Sequence, residues 1–243
     1  MELHILKDID ELSKNVADFI VDNIREVLKK KDRFTIALSG GSTPEKLHHL
    51  LASDAYKNKI DWSRLHIFFG DERFVPFDDD RNNAKMAFDT LLNFVSVPKE
   101  QIHIMETENI SPEESAKAYE KILDKYFSKS PNTFDLIILG MGDDAHTLSL
   151  FPGKTEVIFE EKKQAVSLWL ESQNMYRVTL THPVANKSSV IVFLASGSKK
   201  ANALTHVLKG DYNPALYPSQ IIKPVNDRLH WFVDGAAAEN IED

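Results

Sequence analysis

His146 carries the side chain best suited to acid–base chemistry, and it stands just beyond an apolar run. The segment FDLIILGMGDDAHTLSLFPG, residues 134–153, has the pattern of a buried strand that breaks off into glycines, acids and this histidine. An imidazole beside a carboxylate such as that of Asp144 can take a proton from water as a general base. The pattern predicts a helix N-terminus at His146, which would keep the imidazole neutral. Because a lone histidine is more often structural than catalytic, both interpretations stay open at this point.

The segment GDERFVP, residues 70–76, delivers charges at the end of a second apolar run. Asp71, Glu72 and Arg73 directly follow the residues LHIFF. A charged triplet of this kind is more often a solvated turn. Here the preceding run is apolar throughout, so the triplet is expected to emerge from the core at a ligand crevice.

The segment SGGSTP, residues 39–44, has the composition of a phosphate-binding turn. Gly40 and Gly41 would let the backbone approach a ligand closely. The helix predicted to follow would point free N–H groups and its positive dipole end at an anion. The spacing matches neither the Walker loop nor the GxGxxG dinucleotide fingerprint. A plain glycine-rich turn is an equally good interpretation.

Two basic segments could complete a phosphate site. Arg177 lies in RVTLTHP, and Lys199 and Lys200 lie in SGSKKA, where a helix is predicted to begin. Cations in such positions suit a phosphate, although at least one of the lysines is expected to be solvated. The histidines at positions 48, 49, 66, 103, 206 and 230 show no mutual ligand spacing, and no HExxH array occurs, so no metal site is predicted.

Alternating strands and helices must position these residues. Leu12, Val16 and Ile20 fall at helical spacing in residues 8–31, which predicts an amphipathic helix. Further helices are predicted over residues 42–53, 82–95, 111–127 and 199–210. Strands are predicted over residues 33–41, 64–75, 134–142, 165–170, 177–185, 188–196 and 229–238. Ser42 or Thr43 is expected to cap the second helix.

This alternation predicts a doubly wound α/β fold with a mostly parallel sheet and helices on both faces. A single domain over residues 1–243 is expected, because no linker or repeat divides the chain. In such sheets ligands bind at the carboxyl ends of the strands. Most of the candidate residues lie at or just after the carboxyl ends of predicted strands, whereas Arg177 begins one.

Composition limits the classes of partner. The net charge of −8 argues against nucleic acid and against an anionic membrane surface. Cysteine is absent, which excludes disulfides and thiolate catalysis. The N-terminal residues lack an apolar signal region and no stretch approaches the ~18 apolar residues of a membrane span, so a cytoplasmic protein is expected.

Taken together, the motifs resemble the family of 6-phosphogluconolactonases and glucosamine-6-phosphate deaminases. The resemblance covers nearly the whole chain in order: LSGGSTPEKLHHLL, FFGDERFVPFDDDRNNAKMA, GMGDDAHTLSLFPG, RVTLTHPVANKSSVIVFLASGSKKA, and YPSQIIKP with LHWFVDGAAA. It implies a deaminase-like fold and hydrolysis of 6-phospho-D-glucono-1,5-lactone to 6-phosphogluconate, the second step of the oxidative pentose phosphate pathway. No cofactor or metal is implied, and a monomer or weak homodimer is expected.

The resemblance also implies roles for individual residues. His146 would be the general base that activates water, Asp144 would orient the site, and Asp71 and Arg73 match the family's DER segment, with Arg73 balancing charge near the substrate. The residues implied to bind the 6-phosphate are Gly40, Gly41, Ser42, Arg177 and Lys200.

The sequence departs from the family at three positions that bear on the site. Asp143 adds an acid where the family usually has proline. Ala145 stands where the family usually has glycine, which is harmless unless the position needs a positive φ. His182 replaces an apolar residue in LTHP. Two rival functions are an isomerising deaminase and a regulator that binds sugar phosphate without turnover. The segments SLFPG and DERFV favour the lactonase over the deaminase.

Overall fold

The computed structural model describes residues 1–241. The strands are β1 (Glu2–Leu6), β2 (Phe34–Leu38), β3 (Leu65–Phe69), β4 (Asp71–Arg73), β5 (Leu136–Gly140), β6 (Ala165–Leu170), β7 (Met175–Leu180), β8 (Ile191–Ala195) and β9 (Leu229–Asp234). The helices are α1 (Ile9–Leu28), α2 (Ser42–Ala52), α3 (Asn83–Thr90), α4 (Pro112–Phe127), α5 (Thr155–Ile158), α6 (His182–Asn186) and α7 (Ala201–Lys209).

Six strands form one sheet in the order β1-β9-β8-β5-β2-β3, and every neighbouring pair is parallel. After β2 the chain continues to β3, towards one edge of the sheet, and after β5 the next strand of this sheet is β8, towards the opposite edge. The strand order therefore reverses between β2 and β5. Such a switch point opens a crevice at the carboxyl ends of the two strands.

Helices cover both faces of this sheet, as predicted. On one face α1 and α2 bury side chains such as Val16 and Leu47. On the other face α4 and α7 bury Tyr119, Leu123 and Leu204. All five residues of β2 and of β8 are buried, as expected for central strands covered on both sides. The prediction of a doubly wound, mostly parallel α/β fold is confirmed.

Helix starts agree with the sequence in one case and differ in another. A capping box opens α4: Glu114 N–H donates to Ser111 Oγ, and the Glu114 carboxylate accepts the Ser111 N–H. The cap of α2 was predicted to be Ser42 or Thr43, which is wrong. Gly41 is the capping residue, at φ 105°, and no side chain caps the helix. The first N–H groups of α2 are therefore left open to a ligand.

A second sheet, absent from the sequence prediction, lies beside the first. It contains three antiparallel strands in the order β4-β7-β6. The charged triplet after β3 is thus itself a strand, β4, rather than a turn. The strand predicted over residues 177–185 ends earlier, because α6 begins at His182. The edge strand β1 was also not predicted.

Among the described helices, none has both the length and the apolar composition needed to cross a membrane.

Candidate active site

The loop after β5 forms a tight turn around His146. The Gly142 N–H donates to the His146 carbonyl (2.8 Å), and the Ala145 N–H donates back to the Gly142 carbonyl. The Ala145 carbonyl accepts both the N–H and the hydroxyl of Ser219, which fixes the turn from outside. No helix begins at His146, so the predicted helix N-terminus is wrong; the next helix, α5, begins at Thr155.

Ala145 adopts a positive φ, a conformation that strains alanine but would not strain the glycine that the family usually has at this position. Its φ is 64°, in the left-handed region, which costs a residue with a Cβ about 1–2 kcal/mol. Ala145 is also fully buried. The turn keeps its shape despite the substitution, at the expense of local strain.

The Asp144 carboxylate holds the His146 ring in place. Nδ1 of His146 donates to Oδ1 of Asp144 (2.5 Å), which also accepts the His146 backbone N–H (3.0 Å). Burial alone would raise the pKa of Asp144, but the hydrogen bond and charge of His146 outweigh it and lower the pKa. The ring packs on Phe151 with centroids 4.3 Å apart. Since Nδ1 is occupied, Nε2 is the nitrogen left for chemistry.

Gly142 leaves the space in which this pair sits. A Cβ at that residue would overlap both Nδ1 of His146 and Oδ1 of Asp144. The glycine is therefore required for room rather than for an unusual φ.

Asp71 of β4 and Arg177 of β7 form a buried ion pair within the second sheet. Nη2 of Arg177 donates to Oδ2 of Asp71 (3.1 Å), and Ser149 Oγ donates to the same oxygen (2.6 Å). Nε of Arg177 donates to Ser149 Oγ (3.0 Å). Both charged side chains are about 95% buried, with exposures of 4% and 5%. The positive charge of Arg177 is therefore already compensated within the protein.

Glu72 anchors the start of α3 instead of facing the ligand crevice. Its carboxylate accepts the backbone N–H groups of Arg73, Asn83 and Ala84. Burial raises the pKa of Glu72 to about 7, although these three N–H groups favour the charged form. The arrangement sets the position of Arg73 and Asn83 relative to the sheet.

Asn83 is a site residue that the sequence analysis missed. Its Nδ2 donates to the Asp71 carbonyl (2.9 Å), while its Oδ1 is buried with no hydrogen-bond partner among the described residues. Asn83 lines the crevice, and a Cβ at Gly40 would overlap its Oδ1. Its signal in the sequence was weak, because an asparagine at the start of a helix is usually a cap.

These loops enclose a cleft at the switch point, with a volume of about 240 Å³. This is slightly below the roughly 300–1,000 Å³ typical of pockets for drug-sized ligands, and suits a single sugar phosphate. Eight of the nine residues predicted for the site line it: Gly40, Gly41, Ser42, Asp71, Arg73, His146, Arg177 and Lys200. The ninth, Asp144, does not line the cleft itself but is hydrogen-bonded to His146, which does.

The cleft contains two cations, Arg73 and Lys200, that form no ion pair with any residue in the described part of the chain. Arg73 donates from Nη1 to the Arg81 carbonyl (2.8 Å), but its buried Nε has no partner among residues 1–241. Lys200 makes no ion pair with any described residue. Lys199 is exposed and is not among the residues that line the cleft. Of the two lysines that the residue pattern left equivalent, the one that lines the cleft is Lys200, which is also the one that the resemblance to the family implied.

The family model of glucosamine-6-phosphate isomerases and 6-phosphogluconolactonases matches residues 7–231 of the chain. The chain belongs to this family. A 6-phosphogluconolactonase from Nostoc sp. is 36% identical over 98% of this chain and 98% of the relative. One from Synechocystis sp. is 35% identical over 91% of this chain and 90% of the relative. The sequence prediction of an enzyme of this family is confirmed.

Solved structures of family members have the same fold. The crystal structure of 6-phosphogluconolactonase from Thermotoga maritima superposes with a TM-score of 0.83 at 29% identity, over 96% of this chain and 99% of that chain. A monomeric glucosamine-6-phosphate deaminase gives a TM-score of 0.85 at 20% identity, over 98% and 99%. The second likeness concerns the fold alone.

Proposed function

We propose that the chain hydrolyses 6-phospho-D-glucono-1,5-lactone to 6-phospho-D-gluconate, the second step of the oxidative pentose phosphate pathway. The observation that carries the proposal is one cleft that holds the oriented His146 together with the two cations Arg73 and Lys200. The names of the Nostoc and Synechocystis relatives support the same reaction. A cytoplasmic location is part of the proposal.

In the proposed mechanism His146 is the general base. With its proton on Nδ1 and held by Asp144, the neutral ring presents a lone pair on Nε2. Nε2 accepts a proton from water as the water oxygen attacks C1 of the lactone. The tetrahedral intermediate then breaks the bond between C1 and the ring oxygen. The ring oxygen leaves as a hydroxyl with the proton from Nε2, so the base is regenerated.

Hydrogen-bond donors in the cleft would stabilise the negative charge that develops on the carbonyl oxygen bound to C1. The amide of Gly142 is unsuited to this role, because it donates to the His146 carbonyl. Arg73 is the better candidate, since it lines the cleft and its guanidinium forms no ion pair with a described residue. One such donor typically contributes about 2.7–4 kcal/mol to catalysis.

The turn before α2 and the lysine before α7 would hold the 6-phosphate. Gly41 caps α2 without a side chain, and Gly41, Ser42 and Thr43 line the cleft, so the first N–H groups of the helix and its positive dipole end are available to an anion bound there. Lys200 lines the same cleft and adds a full charge. Asp71 compensates the charge of Arg177. We therefore propose that Arg177 holds the neighbouring side chains of the cleft in place and does not itself neutralise the phosphate.

The two lysines provide a matched pair of variants. Lys200→Ala is expected to raise KM for the lactone by roughly 10- to 100-fold, the effect of losing a hydrogen bond to a charged group. Lys199→Ala should leave KM unchanged, because Lys199 is exposed outside the cleft. The measurement is initial rate against lactone concentration. Equal KM values for the two variants would remove Lys200 from the phosphate site.

The decisive experiment is an assay of lactone disappearance, with substrate generated in place and spontaneous hydrolysis subtracted. We expect the chain to accelerate the reaction, and to do so equally after EDTA treatment, because the proposed mechanism uses no metal. Glucosamine 6-phosphate should give no product. Turnover of glucosamine 6-phosphate without lactone hydrolysis would favour the deaminase. Binding of 6-phosphogluconate without any turnover would favour a regulator.

A further inference from the structure

Two histidines and a glutamate converge at the edge of the large sheet, away from the cleft. Glu2 and His4 share one face of the edge strand β1, and Glu2 pairs in register with His230 of β9. Glu2 and His230 lie at the amino ends of their strands and His4 lies at the middle of β1, whereas the cleft lies at the carboxyl ends of the strands. The side-chain exposures are 67% for Glu2, 34% for His4 and 8% for His230.

Two of the three separations between the ligand atoms match those around a tetrahedral metal ion, and the third is slightly longer. Nε2 of His4 and Nδ1 of His230 are 3.4 Å apart. Oε2 of Glu2 is 3.4 Å from the His230 nitrogen and 3.8 Å from the His4 nitrogen. These separations exceed the roughly 2.7–3.2 Å of good hydrogen bonds. Ligands held about 2.0–2.1 Å from a tetrahedral zinc ion lie about 3.3–3.4 Å from one another.

Packing of the rings holds the two imidazoles in this orientation. His4 stacks on Phe232 with centroids 4.3 Å apart and an interplanar angle of 14°. Phe19 of α1 contacts the ring of His230 at 4.7 Å. The aromatic contacts restrict ring rotation, so binding an ion would require little further ordering of the histidines.

We propose that Glu2, His4 and His230 bind a divalent transition-metal ion of the zinc type. Two imidazole nitrogens and a carboxylate oxygen are a ligand set that zinc accepts, with a water in the fourth position. The ion would tie the edge strand β1 to β9 and so fasten the first residues of the chain to the sheet. Its role is structural, and the proposed hydrolysis does not depend on it.

The test is a titration of metal-stripped, tag-free chain with Co²⁺, followed by visible absorption, and with Zn²⁺, followed by calorimetry. We expect one ion per chain and the intense absorption of tetrahedral Co²⁺. His4→Ala and Glu2→Gln should each weaken binding by at least about tenfold, the effect known for even indirect metal partners. Zn²⁺ should also raise the midpoint of thermal unfolding in the unmodified chain and not in these variants, because it binds only the folded state.

Two controls distinguish this site from other histidines. His49→Ala removes an exposed histidine of α2 and should bind as tightly as the unmodified chain. His146→Ala should also retain the site, which separates it from the His146–Asp144 pair of the cleft. Unchanged affinity and stoichiometry in both His4→Ala and Glu2→Gln, or no binding by the unmodified chain, would overturn the proposal. Neither result would bear on lactone hydrolysis.

Discussion

His146→Ala is expected to lower kcat for lactone hydrolysis by roughly 10²–10⁴-fold, the usual contribution of a positioned general base. The cations and the α2 N-terminus that are proposed to hold the phosphate stay in place, so KM should change little. The measurement is the steady-state rate of lactone disappearance, corrected for spontaneous hydrolysis. His49→Ala is the matched control, because it removes an exposed histidine of α2 and should keep full activity.

A second variant tests the position of the ring without removing it. In Gly142→Ala the new Cβ overlaps both His146 and the Asp144 carboxylate, so the ring must move. We expect kcat to fall while binding of the product 6-phosphogluconate persists, since the substitution leaves the turn proposed to bind the phosphate, and Lys200, unchanged. Full activity in His146→Ala would keep the lactonase but require another base. Full activity in Gly142→Ala alone would show that the ring position tolerates displacement.

Much of the fold could be predicted because local signals and tertiary structure agree. The apolar runs of β2, β5 and β8 are buried on both faces, and the capping box of α4 lies within four consecutive residues. The edge strand β1 was missed because only its pairing with β9, more than 220 residues away, makes it a strand. The second sheet was missed because β4 has three residues and depends on β7 for its hydrogen bonds.

The candidate residues of the site were predictable, but their mutual contacts were not. Motifs after strand ends indicated His146, Asp71 and Arg73, since a parallel sheet brings such ends together. The sequence carries no sign that Arg177 pairs with Asp71, which lies 106 residues away. The predicted helix dipole at His146 was wrong because the turn is fixed by Ser219 instead. Local pattern indicates which residues reach the cleft, and long-range pairing decides what each of them can do there.

The Asp71–Arg177 pair should dominate the stability of the cleft. Asp71→Ala leaves the Arg177 guanidinium buried without its counter-charge, and Ser149 loses its acceptor. We expect the free energy of unfolding to fall by about 3–5 kcal/mol, the usual effect of removing one partner of a buried pair. The measurement is urea unfolding at neutral pH, with the midpoint and slope compared to the unmodified chain.

The double variant separates the pair from the individual side chains. Asp71→Ala combined with Arg177→Met removes both charges, so the loss should be clearly smaller than the sum of the two single losses. Asp22→Ala, which breaks the exposed pair with Arg25 on α1, should leave stability nearly unchanged. If the losses of unfolding free energy in Asp71→Ala and Arg177→Met simply added up in the double variant, the ion pair would contribute no coupling energy. The charge of Arg177 would then be free to act on phosphate, as the resemblance to the family first implied.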